Sequence, residues 1–401
     1  MSHYRQRKTG ILKATAFFAC LLFLYTNVYA GEVVIQAAGD VMLGGRWEKT
    51  LSKDNYYHAF ERIAPELKKG DITLVNLEAP LTSRGKEYTE KKFRFRVNPS
   101  AVAALKKAGI TAVTLANNHI MDFGSQGLAD TIKLLDEQGI DHVGAGENIS
   151  AARKLVIKEI RGTKVGMLGY SLTMPHEFWA GEDRAGTAPL LEKIMLEDIA
   201  KAKKQVTVLI VNVHWGEEAK TRLRPYQPVL GRKMIDAGAD VVIGHHPHIL
   251  QGIERYKRGI VFYSMGNFAF AHKSRIALRT MLVRLRFDGD LRSAELVPVN
   301  IHHKEVGFQP TPISGKPADD LIESVRRLPP ANIDILTDSV AQVATAIEEQ
   351  SSTTEGVMQN IREISDVIHE VSQGTKNTDQ AASGLVNAAG ELSGMARKFR
   401  V

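Results

Sequence analysis

The feature that most constrains the fold is an alternation of short apolar segments with amphipathic segments between residue 32 and about residue 299. Residues 72–77 and 206–213 are apolar runs of strand length, whereas residues 229–237 carry apolar side chains at helical spacing. Residues 155–160 and 165–168 flank an Arg-Gly turn and predict a hairpin. Because strands that alternate with helices build layered domains, the sequence predicts an α/β domain over this range.

The charge of the chain is unevenly distributed and favours anionic partners. The formal net charge is +7, with 44% hydrophobic and 24% charged residues. From residue 335 onward nine acidic side chains face five basic ones, which leaves 47 basic against 36 acidic side chains before that point. A basic globular domain attracts phosphoryl groups and acidic polymers. No nucleic-acid-binding motif accompanies the charge, so nucleic acid is not an expected partner.

The first 30 residues have the composition of an export signal. Four basic residues precede an apolar run at residues 14–25, and the small residues around Ala30 fit a cleavage site. This predicts export to the periplasm or cell envelope, with an uncleaved membrane anchor formed by residues 14–30 as the alternative. Cys20 is the only cysteine, so the exported domain would have none. Disulfides and thiolate metal sites are thereby excluded.

Candidate metal ligands follow the predicted strands at the point where each strand ends. Gly244 opens a turn that carries three histidines within four residues. The candidates at this and the other strand ends are Asp40, Glu78, Asn118, His214, His246 and His248. Neutral imidazole is the commonest protein metal ligand, and strand ends are where α/β proteins bind ligands. The alternative is a polar loop whose histidines are satisfied by hydrogen bonds.

Six short motifs occur in order along the domain. They are Gly-Asp-Val-Met-Leu-Gly at 39–44, Asn-Leu-Glu-Ala-Pro at 76–80, Ala-Asn-Asn-His at 116–119 with Met-Asp-Phe-Gly at 121–124, Val-His-Trp-Gly at 213–216, Gly-His-His-Pro-His at 244–248 and Tyr-Ser-Met-Gly-Asn-Phe at 263–268. Together they resemble the CapA family of bacterial capsule synthesis proteins, also described as poly-γ-glutamate biosynthesis proteins. That family is similar to the calcineurin-like metallophosphoesterases. The resemblance implies a two-sheet sandwich flanked by helices, with a dinuclear metal site at the strand ends.

The resemblance also implies a role for each matching residue. It makes the six candidates named above ligands of two divalent ions, and Mn, Fe or Zn suit a set of carboxylate, amide and imidazole groups. His119 would protonate the leaving group of a phosphoester, and Asp122 would orient His119. The implied chemistry is metal-assisted attack of water at phosphorus.

Met42 departs from the phosphoesterase pattern. It fills the position at which that superfamily has a histidine ligand, and a thioether is a poor ligand for a hard divalent ion. One of the two metal sites would therefore be weak, unless Glu78 binds through both oxygens or His245 contributes. The departure leaves open a second interpretation, which is a non-catalytic scaffold that binds an envelope polymer.

Further polar residues are candidates for substrate binding: Asn76, Arg222, Arg224, His245 and Asn267. The two arginines suit an anionic substrate. Basic residues alternate with Phe93 and Phe95 between residues 91 and 96, which predicts a half-buried strand with one charged face. An anion-binding rim that includes Lys91 is the alternative.

The composition changes after the domain, which we expect to span residues 31–308. Five prolines between residues 309 and 334 predict a linker, with one short helix at residues 319–328. Residues 335–401 hold mostly apolar or small side chains at an unbroken three-four spacing, which predicts a coiled-coil helix and self-association. This tail resembles the final helix of a methyl-accepting chemotaxis receptor. Receptor tails are cytoplasmic, which conflicts with the export signal, so we expect no chemoreceptor signalling.

These observations predict an exported protein of capsule, poly-γ-glutamate or other anionic envelope polymer biosynthesis, with a metal-dependent phosphoesterase site. Its expected partners are an anionic polymer or phosphoester substrate and other envelope biosynthesis proteins. No single substrate follows from the sequence, because surface loops determine specificity.

Overall fold

The computed structural model describes residues 31–45, 55–270 and 276–330, together with isolated helical positions between residues 373 and 390. The export signal and nearly all of the tail lie outside the described residues, so export and the coiled coil remain predictions. None of the described helices has both the length and the apolarity needed to cross a membrane.

The described residues form sixteen β-strands and eight α-helices. The strands β1 to β16 are Val33–Met42, Ile72–Leu77, Ala112–Thr114, Asp141–Val143, Ala145–Gly146, Val156–Ile160, Thr163–Ser171, Gly186–Thr187, Val208–His214, Val241–His245, Ile253–Tyr256, Gly259–Phe262, Asn267–Phe270, Arg279–Asp288, Asp290–Asn300 and Thr311–Pro312. The helices α1 to α8 are Ala64–Leu67, Ala101–Ala108, Gly124–Gln138, Ile149–Ala152, Glu192–Lys203, Tyr226–Ala237, His303–Val306 and Lys316–Arg326. Two 3-10 helices lie at Tyr56–Phe60 and His176–Phe178.

The strands form two mixed sheets and a small ribbon of β5 and β8. The first sheet has the order β16-β15-β14-β1-β2-β3-β4, and β13 pairs with β1 beyond the end of β14. The second sheet has the order β11-β12-β10-β9-β7-β6. In the first sheet β1 to β4 are parallel, and in the second β7, β9, β10 and β12 are parallel. The carboxyl ends of each parallel set therefore lie at one edge.

Side chains of the central strands alternate between the inner and outer faces of the sheets. Ile35 of β1 shares a hydrophobic cluster with Ile210 of β9 and Ile243 of β10, so this cluster fills the space between the sheets. Helices cover the outer faces, where Leu105 of α2 packs on the first sheet and Ile199 of α5 packs on the second. Both sheets are thus buried on both faces, which confirms the predicted α/β sandwich with flanking helices.

Residues 56–69 contain two short helices instead of one continuous helix. This segment forms the 3-10 helix Tyr56–Phe60 and the short helix α1. Pro65 lies in the first turn of α1. In the middle of one continuous helix it would remove a hydrogen bond and clash with the preceding turn, so a new helix begins at this position. The predicted hairpin is confirmed as the antiparallel pair β6 and β7.

The strand predicted at residues 91–96 is wrong, because these residues have no strand structure. Phe93 is 60% exposed, whereas Lys91 turns inward and donates from Nζ to Asp122 Oδ1. The alternating charged and aromatic residues therefore belong to a loop that individual contacts hold on the domain.

The segment predicted as a linker at residues 309–334 is packed on the domain in its described part, and α8 matches the short helix predicted at residues 319–328. The strand β16 pairs with β15 at the edge of the first sheet, and Val325 of α8 is buried in the cluster between the sheets. Pro312 lies on an edge strand and Pro317 lies in the first turn of α8, the two places where proline fits regular structure. The domain therefore extends to about residue 330 instead of ending at residue 308.

Candidate metal centre

The predicted ligands lie where the carboxyl ends of strands from both sheets meet. Asp40 lies near the end of β1, and Glu78 directly follows β2 in the first sheet. His214 ends β9 and His245 ends β10 in the second sheet, where the two residues pair. Carboxylates from one sheet thus approach imidazoles from the other.

A β-bulge in β1 turns Asp40 towards the space between the sheets. Ala37 pairs with Leu74 of β2 but Asp40 pairs with Asn76, so β1 has one extra residue between these pairs. Ala37 and Leu74 lie in the cluster between the sheets, and the extra residue keeps Asp40 on the same face. Without the bulge, simple alternation would direct Asp40 to the face covered by helices.

Gly39 allows this bulge to form beside the neighbouring segment. A Cβ atom at position 39 would lie 1.9 Å from the carbonyl oxygen of Gly266. Asp40 donates its backbone N–H to the same oxygen at 2.9 Å. Only glycine therefore permits the two backbones to approach this closely.

The turn after β10 holds two histidines in an unfavourable backbone conformation. His246 has a φ of 96° and His248 a φ of 61°, in the left-handed region that non-glycine residues rarely adopt. Such strain persists only where the surrounding structure imposes it, and it concentrates at ligand sites. In this conformation, ligand atoms of Glu78, His246 and His248 lie within 4.8 Å of one another.

Short contacts join the carboxylates to the imidazoles. One oxygen of Asp40 lies 3.1 Å from His245 Nδ1, and its other oxygen lies 3.1 Å from His248 Nδ1. Glu78 Oε1 lies 3.5 Å from His214 Nε2 and 3.8 Å from His248 Nε2. The structure thus brings these five predicted residues together.

Asn76 holds the two carboxylates in place. Its Nδ2 donates to Asp40 Oδ1 at 2.9 Å and to Glu78 Oε2 at 3.1 Å. Its Oδ1 accepts from Nδ2 of Asn117 at 3.0 Å. Both polar atoms of Asn76 are therefore engaged, and the residue orients the carboxylates instead of offering a free group to a substrate. The sequence did not predict this contact of Asn117. Its position directly before Asn118 is the one sequence signal that could have indicated a role at the site.

Two other asparagines approach the histidines directly. Asn118 Oδ1 lies 2.9 Å from His214 Nε2, and Asn267 Oδ1 lies 3.0 Å from His248 Nδ1. Asn118 is therefore placed where the motif resemblance requires a ligand, and Asn267 supports the turn that carries His248.

Several buried polar atoms of the cluster lack hydrogen-bond partners. Among the described residues, these atoms include Glu78 Oε1, His214 Nδ1, His245 Nε2 and His246 Nδ1. An unsatisfied buried polar group costs about 1–3 kcal/mol, so four at one place call for a common explanation. Lone pairs of carboxylate oxygen and imidazole nitrogen suit Mn, Fe or Zn. The residues present therefore fit a divalent metal centre.

Met42 lies in the core and takes no part in the cluster. Its side chain belongs to the hydrophobic cluster under α2 and is 1% exposed. Its Sδ accepts the backbone N–H of Gly44 at 3.2 Å. His245, by contrast, lies beside Asp40 with a buried Nε2 that has no partner among the described residues. A nitrogen donor is thus present near Asp40 although position 42 supplies none.

Burial and the neighbouring charges shift the pKa values of the carboxylates and imidazoles in the cluster. Burial acts against ionisation of Asp40, but hydrogen bonds from His245 and His248 outweigh it and hold the carboxyl pKa well below its ordinary value. Burial and the charge on Asp40 raise the pKa of Glu78 well above its ordinary value. Burial and the charge on His248 lower the pKa of His246 to about 3. Ionised carboxylates and neutral imidazoles, the forms that bind a metal, would all be favoured by a cation at this place.

His119 and Asp122 form the predicted pair at the margin of the cluster. His119 Nδ1 lies 2.7 Å from Asp122 Oδ2, and the ring of Phe95 packs on His119 with centroids 4.4 Å apart. Burial lowers the pKa of His119 to about 4 despite the hydrogen bond with Asp122. The ring is therefore neutral at neutral pH, and it can donate a proton only after a bound anion has raised this pKa.

The two predicted substrate arginines do not join the cluster. Arg222 and Arg224 are both exposed, and Arg224 forms an ion pair with Glu217 at 2.9 Å. Neither has a recorded contact with the candidate ligands in the described structure. A different cation, Lys91, reaches the site and bonds to Asp122.

Comparison with known proteins places these features in a family. The family model for the bacterial capsule synthesis protein PGA_cap matches residues 34–272. The capsule biosynthesis protein CapA of Bacillus anthracis is 34% identical over 278 residues, which cover 67% of this chain and 68% of that protein. The PGA biosynthesis protein CapA of Bacillus subtilis (strain 168) is 34% identical over 281 residues, which cover 69% of this chain and 74% of that protein.

A solved structure, the NAD nucleotidase of Haemophilus influenzae, is similar with a TM-score of 0.42 and 11% identity, over 80% of this chain and 68% of that chain. A similarity at this level carries no argument about fold or function. The family match covers more than half of the chain, and the two relatives share about a third of their aligned positions with it. The chain therefore belongs to the PGA_cap family of bacterial capsule synthesis proteins.

Proposed function

We propose that this protein acts in the synthesis of a capsule or polyglutamate polymer at the cell envelope, and that it does so as a metal-dependent phosphoesterase. The relatives named for capsule and PGA biosynthesis support the first part. The second part rests on the site. Its central observation is that Glu78, His214, His245 and His246, which lie together among the described residues, each have a buried ligand atom without a hydrogen-bond partner.

Asp40, Glu78, Asn118, His214, His246 and His248 are the residues that would hold metal. Divalent ions bound there would supply Lewis acidity and a hydroxide nucleophile at neutral pH. His245 lies beside Asp40 and replaces the histidine that is missing at position 42. The proposed centre holds two ions, and the ion nearer Met42 is the weaker of the two.

His119 and Asp122 would transfer the proton to the leaving group. In hydrolysis, water adds to phosphorus, the bond from phosphorus to the leaving alcohol breaks, and the alcohol oxygen takes up a proton. His119 is the donor, because its ring lies beside the cluster and Asp122 fixes its orientation. The negative charge of a bound phosphoester would raise the pKa of His119. The ring would then take up the proton that it donates to the leaving alcohol.

The location and partners belong to the same proposal. Residues 1–30 would direct export and residues 335–401 would mediate self-association. The expected substrate is an anionic polymer or phosphoester, and the expected protein partners are other components of envelope biosynthesis. The basic loops that contain Lys91 and Arg222 provide charge complementary to such a substrate.

Metal analysis and turnover of the full-length protein test the proposal together. We expect about one to two bound equivalents of Mn, Fe or Zn and hydrolysis of bis-p-nitrophenyl phosphate. Asp40→Asn and His246→Ala should lower turnover by about 100-fold or more, since even outer partners of metal ligands contribute about 10–100-fold. Asp136→Asn and His302→Ala are matched controls, because both residues lie outside the cluster in contacts of their own.

A second function, polymer binding without catalysis, is favoured by the burial of Met42 in the core. This function predicts a protein that binds metal but has no turnover, or one that has neither bound metal nor turnover. A protein that contains no transition metal and whose residual turnover is unaffected by Asp40→Asn would disprove the phosphoesterase proposal.

A further inference from the structure

Lys91 occupies an unusual position for a lysine. Its side chain is only 15% exposed, and its Nζ lies over the ring of Phe178 at 5.2 Å. The ammonium group donates to the backbone oxygen of Asn118 and, at 2.5 Å, to Asp122 Oδ1. It also lies 3.1 Å from His119 Nδ1. A buried cation is therefore fixed beside the residue proposed to carry the proton.

Every contact around the Asp122 carboxylate comes from a donor. Oδ1 accepts from Lys91, and Oδ2 accepts from the backbone N–H of Phe95 at 2.8 Å. Oδ2 also lies 2.7 Å from His119 Nδ1, and the carboxylate is fully buried. Each of these groups approaches with an N–H, so the Asp122 carboxylate acts as the acceptor in every one of these hydrogen bonds, and a carboxylate has no hydrogen to donate.

This arrangement determines where the proton of His119 lies. Because the carboxylate cannot donate, the hydrogen between His119 and Asp122 must be on Nδ1. A neutral imidazole carries one ring hydrogen, so Nε2 has none. Nδ1 then has no lone pair for Lys91, and their 3.1 Å approach is a contact rather than a hydrogen bond. Two of the three N–H groups of Lys91 donate hydrogen bonds, one to the backbone oxygen of Asn118 and one to Asp122.

We propose that Lys91 is a positioning residue that holds Asp122 as a hydrogen-bond acceptor and thereby locks His119 in the tautomer with the proton on Nδ1. Without the ammonium group, Oδ1 would lose its donor, and a neutral carboxyl at Asp122 would donate to Nδ1 and leave the ring's own hydrogen on Nε2. The nitrogen available for proton exchange would then be the wrong one. The kinetic consequence rests on the proposed phosphoesterase function, whereas the tautomer itself does not.

The alternative role for Lys91 is purely structural, as an anchor for the loop at residues 83–97. An anchor would affect stability but would not change the tautomer of His119. Lys92 provides a matched control, because it is adjacent in sequence, equally charged and exposed.

The tautomer can be measured by long-range proton–nitrogen NMR of the full chain labelled with 15N-histidine. The protein has 13 histidines, and the signal that disappears in His119→Gln identifies residue 119. Wild type, Lys91→Arg and Lys92→Met should show His119 with hydrogen on Nδ1, and Lys91→Met should show it on Nε2. An unchanged His119 pattern in a folded Lys91→Met protein overturns the proposal. If that variant does not fold, Lys91→Gln is judged by the same signal.

Kinetics provide a second readout. With bis-p-nitrophenyl phosphate, Lys91→Met should lower kcat by about 10–100-fold with little change in KM or metal content. Lys91→Arg should recover part of the loss, and Lys92→Met should match wild type. If wild type has no turnover, the phosphoesterase proposal fails while the tautomer still decides the role of Lys91. If wild type is active and Lys91→Met retains its kcat, the positioning role fails alone.

Discussion

At the proposed metal centre, metal binding and protonation would compete directly at His248. Its ring lies 3.1 Å from Asp40 and 3.8 Å from Glu78. Burial acts against the charged ring, but the charge on Glu78 and the hydrogen bond with Asp40 raise its pKa from 6.5 to about 9. Because the folded-state pKa is the higher one, the protonated ring stabilises the metal-free fold fully below about pH 6.5. This contribution is lost as the pH rises through about 9.

Metal uptake should therefore release protons near neutral pH, since a coordinating imidazole must be neutral. Calorimetric titration of the metal-free protein with Mn²⁺ in buffers of different ionisation enthalpy should show about one proton released per His248-bound ion, and the affinity should rise between about pH 6 and 9. His302→Ala should behave like wild type. Heats that are independent of the buffer, with an affinity that does not change with pH, would contradict this assignment.

The positions of the candidate ligands were predictable from the sequence because a strand end is a local signal. Asp40, Glu78 and His214 each follow an apolar run, and parallel strands bring such positions to one edge. Lys91 was recognised only as part of a charged segment, since its contacts with Asp122 cross 31 positions of sequence. The proton position on His119 depends on those contacts and could not be predicted without them.

Among the secondary structure elements, the bulge in β1 is the one on which the site most depends. Gly39→Ala would place a Cβ atom 1.9 Å from the oxygen of Gly266 and force the two backbones apart. We expect a loss of about 3 kcal/mol in the free energy of unfolding, together with weaker metal binding, measured by urea denaturation and metal analysis. Gly181→Ala is the control, because its nearest neighbour would lie 3.5 Å away. Equal stability of the two variants would show that β1 needs no close approach at Gly39.

The helix α8 provides a test of where the domain ends. Val325 is 1% exposed in the cluster between the sheets, so Val325→Ala should lower the free energy of unfolding by about 2 kcal/mol. Val229→Ala is a control at a side chain that is 52% exposed. If Val325→Ala unfolds at the same urea concentration as wild type, residues 316–326 do not belong to the folded unit.

Secondary structure elements were predicted well where apolar runs and a turn mark them in the sequence. They were predicted poorly where prolines occur inside regular structure. The paired strands β6 and β7 flank an Arg-Gly turn and were recognised as a hairpin. The prolines at 312 and 317 suggested a linker, but each lies at a position where proline suits regular structure. Composition alone cannot separate these cases, because the deciding fact is which strand or helix lies next to the proline.

For the molecule as a whole, the site is a junction between the two sheets. The first sheet contributes Asp40 and Glu78, and the second contributes His214 and the turn with His246 and His248. The candidate ligands come from segments as far apart as 208 positions, so their cluster exists only when the sandwich is assembled. The fold thus brings the candidate ligands together at one position between the sheets.

Anomalous X-ray diffraction from crystals grown with Mn²⁺ tests the central claim most directly. The account predicts an anomalous peak about 2.0–2.3 Å from Glu78 Oε1 and from ring nitrogens of His246 and His248. A second, weaker peak is expected on the side of His245. Isomorphous crystals of Asp40→Asn should lose at least one of these peaks. Density without any anomalous peak among Asp40, Glu78, His246 and His248 would contradict the metal centre and the function built on it.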